Sequence, residues 1–457
     1  MDITVDTLLK AGLEPDDLVD ASSADNPTDT WPMGLKRPRT THGAVPVVLA
    51  KSAATVSLLL SWATVNGIRV QVQGGRSNVV GSLDGTPEVV LRLTEMDRIV
   101  GLDDISQVVT VEAGVIGTVL EGFLNSQGFT LGHYPQSLPE STVGGWIATR
   151  ATGAASARFG GIERIVCGLE GVLAGGEMFR VPVRPRAAGG LDAVGLMCGA
   201  EGSLAVITTA SLAVSRIMPE TRVNGLVPSF AVGLELQREL IQRTLPLGVV
   251  RLLNPTETEA VLQGEPNPNG SCLVIMSILG EAGVTEISQG IFDGALSTAG
   301  GTAVDSAAAD RWWDHRFAPP GLIQERNSLP GSLFDTIEVS APWRSAPGLA
   351  DALEEEIGAL VDRLWLHSSH VYPTGTCLYL AYWIESSDDV EALRRGRTVW
   401  DRTLDLVEEH DGSIGHHHGI GAARSGRYVE SAEGRLHRSV KQALDPQGVL
   451  SARLLEG

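Results

Sequence analysis

Gly132-His133-Tyr134-Pro135-Gln136-Ser137-Leu138-Pro139-Glu140-Ser141-Thr142-Val143-Gly144-Gly145-Trp146-Ile147-Ala148-Thr149-Arg150 is the stretch that decides the fold of this 457-residue chain. It crowds glycines and small hydroxyl residues into a short span. Glycine has no Cβ to hold a ligand away from the backbone, and hydroxyls bond at short range. The segment therefore reads as a place where main chain closes on a bound group.

Two further glycine segments flank it. Upstream, a strand over 69–72 runs into Gly74-Gly75-Arg76-Ser77-Asn78. Consecutive backbone N–H groups in such a loop form an anion-binding concavity, although a plain tight turn is the commoner reading of a lone Gly-Gly. The dinucleotide fingerprint G-x-G-x-x-G opening a helix is not met. Downstream, Gly199-Ala200-Glu201-Gly202-Ser203-Leu204-Ala205-Val206-Ile207-Thr208 is a tight turn feeding a β-branched strand.

Periodicity fills in the rest. Strands are expected at 47–50, 89–93, 108–112, 165–173 and 204–212, with helices at 52–65 and 117–127. In the first helix Ala54, Leu58 and Leu59 are expected to share the buried face. Composition shifts at Ile217-Met218-Pro219. Beyond it the pattern predicts helices at 232–243, 285–299 and 390–408, strands at 248–253, 272–278 and 377–383, and a Pro/Asn/Gly loop at 264–270. Residues 1–40 are polar, with one amphipathic stretch near 7–11. The class is α+β.

A second unusual segment is Gly412-Ser413-Ile414-Gly415-His416-His417-His418-Gly419-Ile420-Gly421, which holds three of the ten histidines. Histidine is the side chain most easily tuned to exchange a proton near neutrality. Alone, the run reads equally as a proton-handling site, a weak metal tract or a loop.

Bulk properties narrow the classes. Hydrophobic residues make up 43 % and charged residues 20 %, as in an ordinary globular protein. Lys+Arg is 35 and Asp+Glu is 55, so the net charge is 35 − 55 = −20. That excludes the broad basic face that nucleic acid requires, and leaves room for a small anion held locally. No apolar run is long enough to span a bilayer, and the acidic N-terminus lacks a signal-peptide pattern. Cys167, Cys198, Cys272 and Cys377 show no metal or redox spacing. A cytoplasmic location with reduced, buried thiols and no resident metal is expected.

The three glycine segments, in this order, resemble the FAD domain of the vanillyl-alcohol oxidase / p-cresol methylhydroxylase (PCMH) superfamily. Within it, Gly132–Arg150 and the histidine run look like alkyldihydroxyacetonephosphate synthase. That family has Gly-His-x-Pro-x-Ser-Leu before Ser-Thr-Val-Gly-Gly-Trp, and a Gly-Ser-x-x-His-His-His-Gly-x-Gly element. Its strand tyrosine, thirty-seven residues before the first of those histidines, is matched by Tyr379. Its Ser-Ile-Arg-Leu arginine is matched by Arg251, and its Glu-Thr-Ser-Ala-Pro-Trp turn by Glu338-Val339-Ser340-Ala341-Pro342-Trp343.

The resemblance implies a fold and a site. A two-subdomain PCMH-type FAD-binding domain is expected over 44–217, after an N-terminal segment 1–43. An α/β cap with an antiparallel sheet follows over 218–409, and 410–457 returns to the flavin. Non-covalent FAD would be held by Gly74, Gly75, Arg76, Ser77 and Asn78, by His133, Pro135, Ser137, Ser141, Thr142, Gly144, Gly145 and Thr149, and by Glu201, Gly202 and Ile207. Non-covalent binding follows from Gly75-Arg76-Ser77-Asn78 lacking the histidine, and the second loop lacking the cysteine, that tether flavin in many relatives.

Tyr379, His416, His417, His418 and Arg251 would carry the chemistry. Similar enzymes activate a substrate carbon beside a ketone or carboxylate through the flavin N5, with His/Tyr acid–base help. The alternative is an oxidase or dehydrogenase of a hydroxy acid or alcohol. The substrate is expected to be a small molecule, anionic or carrying an alkyl chain, and a homodimer is the assembly common among relatives. Neighbouring residues of an extended segment face opposite sides, so one of the three is expected to carry the proton, His417 by preference, while the others orient it or hydrogen-bond the flavin.

Two residues depart from the family. Gln136 replaces an aspartate, and Gln324 stands where a second active-site arginine is expected. Arg326, two residues on, is the nearest substitute, and Arg316 is farther.

Overall fold

The structure is a computed structural model that describes residues 3–19, 29–36, 45–263, 267, 270–304, 306–316 and 319–456. Much of the 1–40 segment and most of the 264–270 loop lie outside the described residues. The amphipathic stretch near 7–11 belongs to a short helix, Val5–Lys10, capped by Thr4.

Three sheets carry the α+β architecture. The first places Leu18–Val19, Val47–Leu49, Val89–Arg92 and Val70–Gln73 side by side; the last three run parallel, and Leu18–Val19 is antiparallel. The second is antiparallel, in the order Ile99–Asp103, Val108–Glu112, Ala205–Ala213, Val166–Leu173, Met178–Val181. One hydrophobic core joins these two sheets. The third is a seven-stranded antiparallel sheet built from the second half of the chain. Its order is Thr302–Ala303, Glu220–Val227, Cys272–Leu279, Leu247–Leu253, Arg363–Tyr372, Gly375–Glu385, Ser332–Pro342. A second large core lies against it.

The helix Ala53–Asn66 shows how local signals set an element. Ser52 accepts the N–H of Thr55 at 3.2 Å, and Gly67 ends the helix at φ 66°. The buried face is Val56, Leu59, Leu60 and Ala63, an i, i+3, i+4, i+7 stripe. Leu59 belongs to it, but Ala54 and Leu58 are exposed. The expected face was one step round the helix, because a nearly all-apolar sequence has no strong polar side to fix its rotation.

Two elements of the third sheet escape a periodicity reading. Glu338–Pro342, expected as a turn, is the end of strand Ser332–Pro342. Both faces of that strand are covered, so its buried Asp335, Thr336 and Glu338 break the apolar pattern while bonding to neighbours. Its partner strand Gly375–Glu385 forms a hairpin with Arg363–Tyr372. That ladder shifts register between Ser369 and Tyr372, and His370 within the bulge has φ 52°.

After the histidine run come helices Gly421–Glu430 and Ala432–Leu444, which the periodicity left unassigned. The chain then returns to the first sheet. Val449 O accepts the N–H of Val70 at 2.7 Å, and the N–H of Ser451 donates to Val70 O at 2.9 Å.

Candidate active site

The glycine loops, the third sheet and the histidine run surround one cavity of about 600 Å³. Every residue expected to hold FAD lines it except His133. The loops fit together only as glycines. A Cβ on Gly75 would meet Glu140 O at 2.0 Å, and one on Gly74 would meet Thr142 Oγ1 at 2.4 Å. A Cβ on Gly144 would press on the Ala113 side chain at 2.9 Å.

Arg76 takes φ 61°, which turns the loop. The backbone N–H groups of Gly74, Gly75, Ser77 and Asn78 find no acceptor among the described residues. Backbone donors gathered against a second glycine loop suit the pyrophosphate of FAD. The rest of the cavity runs past Gly202 and Ile207 to a cluster of ionisable side chains, so the lining fits the whole cofactor.

His133 lies elsewhere. It is buried edge-on against Trp146, ring centroids 4.7 Å apart, and neither ring nitrogen has a partner among the described residues. Burial alone drives it down to about 3, so it is a neutral packing residue. Glu201 faces the cavity but is engaged by the chain. It accepts the N–H of Ile420 at 2.5 Å and of Gly421 at 3.1 Å, and the hydroxyl of Ser82 at 2.6 Å. Burial raises its carboxyl, and those bonds oppose the rise.

The histidine run is not extended. The N–H groups of His416, His417 and His418 all donate to Glu338 Oε1, at 3.2, 2.9 and 2.6 Å. The main chain therefore curls round one carboxylate oxygen, and the alternation expected of an extended strand does not apply. The other carboxylate oxygen pairs with Arg424, which also donates to Gly419 O at 2.7 Å and Glu338 O at 3.0 Å. Burial works against ionising Glu338, but Arg424 and the N–H groups outweigh it and hold its pKa below the usual value. Asn78 Nδ2 donates to His418 O at 2.8 Å, tying the run to the first glycine loop.

His417 and His418 line the cavity, and His416 sits behind them. Burial lowers all three below the ordinary imidazole value, His416 to about 4. They are neutral at pH 7.

Tyr379 faces the same space from Gly375–Glu385. It stacks on His367 with centroids 4.7 Å apart and 11° between planes. Burial pushes its hydroxyl up, with a bond from Thr336 opposing. Arg251 projects from Leu247–Leu253 and is held by Glu257 at 3.1 Å. His367 Nδ1 lies 2.9 Å from Arg251 Nη2 and 3.0 Å from Glu257 Oε2. It accepts from the first or donates to the second, as its tautomer dictates. Burial disfavours charge on Glu257, yet its neighbours outweigh that and bring it to about 2.

The missing arginine is not replaced by Arg326, whose guanidinium sits 4.7 Å over the Trp383 ring and does not line the cavity. Gln324 does line it, and so does Arg316.

Sequence reading missed His367, His370, Tyr372, Glu257, Glu338 and Arg424. The first three lie in Arg363–Tyr372, a strand whose polar residues hid its periodicity. A bulge residue at positive φ is recognisable only in three dimensions. Cys377, His416 and His417 also come close, with ligand atoms within 4.8 Å of one another. The Cys377 thiol is raised well above its ordinary value by burial, which leaves it protonated. Among the described residues no helix is long and apolar enough to cross a membrane.

Comparison with known proteins agrees with this geometry. Residues 45–182 match the FAD binding domain family, and residues 219–454 match the family of FAD linked oxidases, C-terminal domain. An uncharacterized FAD-linked oxidoreductase of Escherichia coli, YgcU, is 27% identical, covering 89% of this chain and 88% of its own. Alkyldihydroxyacetonephosphate synthase of Dictyostelium discoideum is 25% identical, covering 90% and 72%. The mitochondrial D-2-hydroxyglutarate dehydrogenase of Arabidopsis thaliana is also 25% identical, covering 89% and 74%. Among solved structures, p-cresol methylhydroxylase with substrate bound superimposes with a TM-score of 0.79 at 16% identity, over 99% of this chain and 97% of that one. That likeness fixes the fold as PCMH-type.

Proposed function

Because the chain belongs to the FAD-linked oxidases and is an FAD-dependent enzyme, we propose that it takes a proton from a carbon beside a ketone or carboxylate of a small anionic substrate. The observation that carries this reading is the convergence of His417, Tyr379 and Arg251 on the cavity that the glycine loops close. Bound FAD supplies an electrophilic, electron-accepting ring at which that carbon reacts.

The chain's own residues divide the remaining work. His417 is neutral and takes the proton. The Tyr379 hydroxyl keeps its own proton and hydrogen-bonds to substrate oxygen. Arg251, fixed by Glu257, faces the negative charge that develops, and Arg316 adds a second cation to the same wall. Val249, Trp312 and Ile323 make the adjoining surface apolar, which suits a hydrocarbon portion. The chemistry is then either group exchange at that carbon, as in the synthase relatives, or net oxidation.

Gln324 in place of the arginine favours net oxidation of a hydroxy acid as the second reading. Anaerobic mixing with hydroxy acids and with acylated ketone phosphates separates the two. Bleaching of the flavin that reverses with oxygen means oxidation, and product exchange without bleaching means group transfer. His417→Ala and Tyr379→Phe should keep the bound-FAD spectrum and lose turnover by about a hundred-fold or more. Near-full turnover in both would remove the assignment.

A further inference from the structure

His416 points away from the cavity, yet it is bonded at both ends of its ring. Its Nδ1 lies 2.9 Å from Nδ1 of His417, and its Nε2 lies 2.8 Å from the Tyr372 hydroxyl. Tyr372 is the last residue of Arg363–Tyr372, beside the exposed Pro373-Thr374 turn. It is partly exposed and does not line the cavity. His417 does line it, and its Nε2 has no hydrogen-bond partner among the described residues.

Two neutral imidazoles can share a nitrogen–nitrogen hydrogen bond only as opposite tautomers, one donating and one accepting. The whole chain must therefore run in one direction or the other. We propose that His417, His416 and Tyr372 form a proton path from the cavity to the protein surface at the Tyr372 end. The path rests on the reading that His417 takes a proton from substrate.

The step conserves atoms and charge. A proton arriving at His417 Nε2 releases the Nδ1 proton of His417 to Nδ1 of His416. His416 gives its Nε2 proton to the Tyr372 oxygen, and the tyrosine's own proton leaves to solvent. Each group gains one proton and loses one, and no electrons move. The cavity face of His417 has then changed from acceptor to donor, and the reverse flow resets it.

The surroundings hold the path in line. Glu338 pins the backbone of both histidines through their N–H groups. His370, in the bulge, packs on His416 and His417 at centroid distances of 5.3 and 4.7 Å. Ser156 bonds its Nδ1 at 2.9 Å, which fixes that ring. The Tyr372 hydroxyl also hydrogen-bonds Thr152, and Glu163 and Arg164 act on it electrostatically.

The test uses the FAD-loaded protein with isotope-labelled histidine ring nitrogens, read by NMR. His416 and His417 should be neutral and of opposite tautomer. Tyr372→Phe should slow exchange of the His417 ring proton with water by about ten-fold or more, while exchange at His437, outside the cavity, stays unchanged. His416→Ala should slow it likewise, and added imidazole should restore it. Identical tautomers, or unchanged exchange in both variants, would overturn the path. So would stoichiometric zinc in the purified protein that His416→Ala removes, since Cys377, His416 and His417 would then be a metal site. Ring exchange is read without substrate, so it can fail or succeed independently of turnover in His417→Ala.

Discussion

Replacing Glu338 with glutamine keeps the side chain's size and removes its charge. In the folded chain one carboxylate oxygen accepts three N–H bonds from the histidine run, and the other pairs with Arg424. Both side chains are 0% exposed. A glutamine offers one acceptor and one donor group. Whichever way it turns, its NH₂ meets either the guanidinium or the backbone donors.

Removing one partner of a buried ion pair costs about 3–5 kcal/mol, because the other charge stays buried and uncompensated. The three N–H bonds weaken as well, but they share one oxygen and do not add in full, so the expected loss stays at about 3–5 kcal/mol. Equilibrium urea unfolding measures it. Tryptophan fluorescence follows it, and of the nine tryptophans Trp400 lies beside the pair, its ring 5.1 Å from the Arg424 guanidinium. Adding Arg424→Met removes the stranded charge, so the double variant should be more stable than the sum of the singles by about 2 kcal/mol. A Glu338→Gln loss below about 1 kcal/mol, or strict additivity in the cycle, would refute the reasoning.

Three other outcomes follow from the same structure. Gly75→Ala puts a Cβ 2.0 Å from Glu140 O and should weaken FAD binding by about ten-fold or more, measured by flavin fluorescence titration, with an overpacking cost of about 1–3 kcal/mol. Acid precipitation of the FAD-loaded protein should leave the yellow colour in the supernatant, because neither glycine loop offers a histidine or cysteine tether at the cavity; colour in the pellet contradicts this. His133 sits at about 3 in the folded chain against about 6.5 unfolded, so the unfolded state binds its proton first as pH falls. Its contribution is therefore present above pH 6.5 and lost on acidification. The stability difference between wild type and His133→Leu should shift against wild type by about 1.4 kcal/mol per pH unit between pH 6 and 4.

Sequence reading located the two ends of the site unequally. The glycine loops were legible because a close backbone approach demands residues without a Cβ, and that demand is written locally as Gly74-Gly75 and Gly144-Gly145. Tyr379 was legible through its spacing from the histidine run and Arg251 through its local sequence context, both matched to a known family. Glu338 was quoted only as part of a motif and its task was invisible, because a carboxylate buried in a strand looks like an exception to the pattern until its partner is known. Arg424 comes from a helix 86 residues away, and no local rule connects the two. His133 misled in the opposite direction: its place in the motif is right, but the ring packs under Trp146.

The sequence by itself determined the fold class, the FAD domain, the glycine cradle and the candidacy of the histidine run. The cradle rests on local steric needs and on order along the chain; the FAD domain and the weight given to the histidine run rest on their resemblance to a known family. Tertiary structure decided which histidines face the cavity, that the run curls round Glu338, and that Arg326 packs on Trp383 while Gln324 and Arg316 line the wall. These are outcomes of long-range pairing, in which a side chain's direction is set by partners on other strands and helices. The spacing of residues along one chain does not carry that direction.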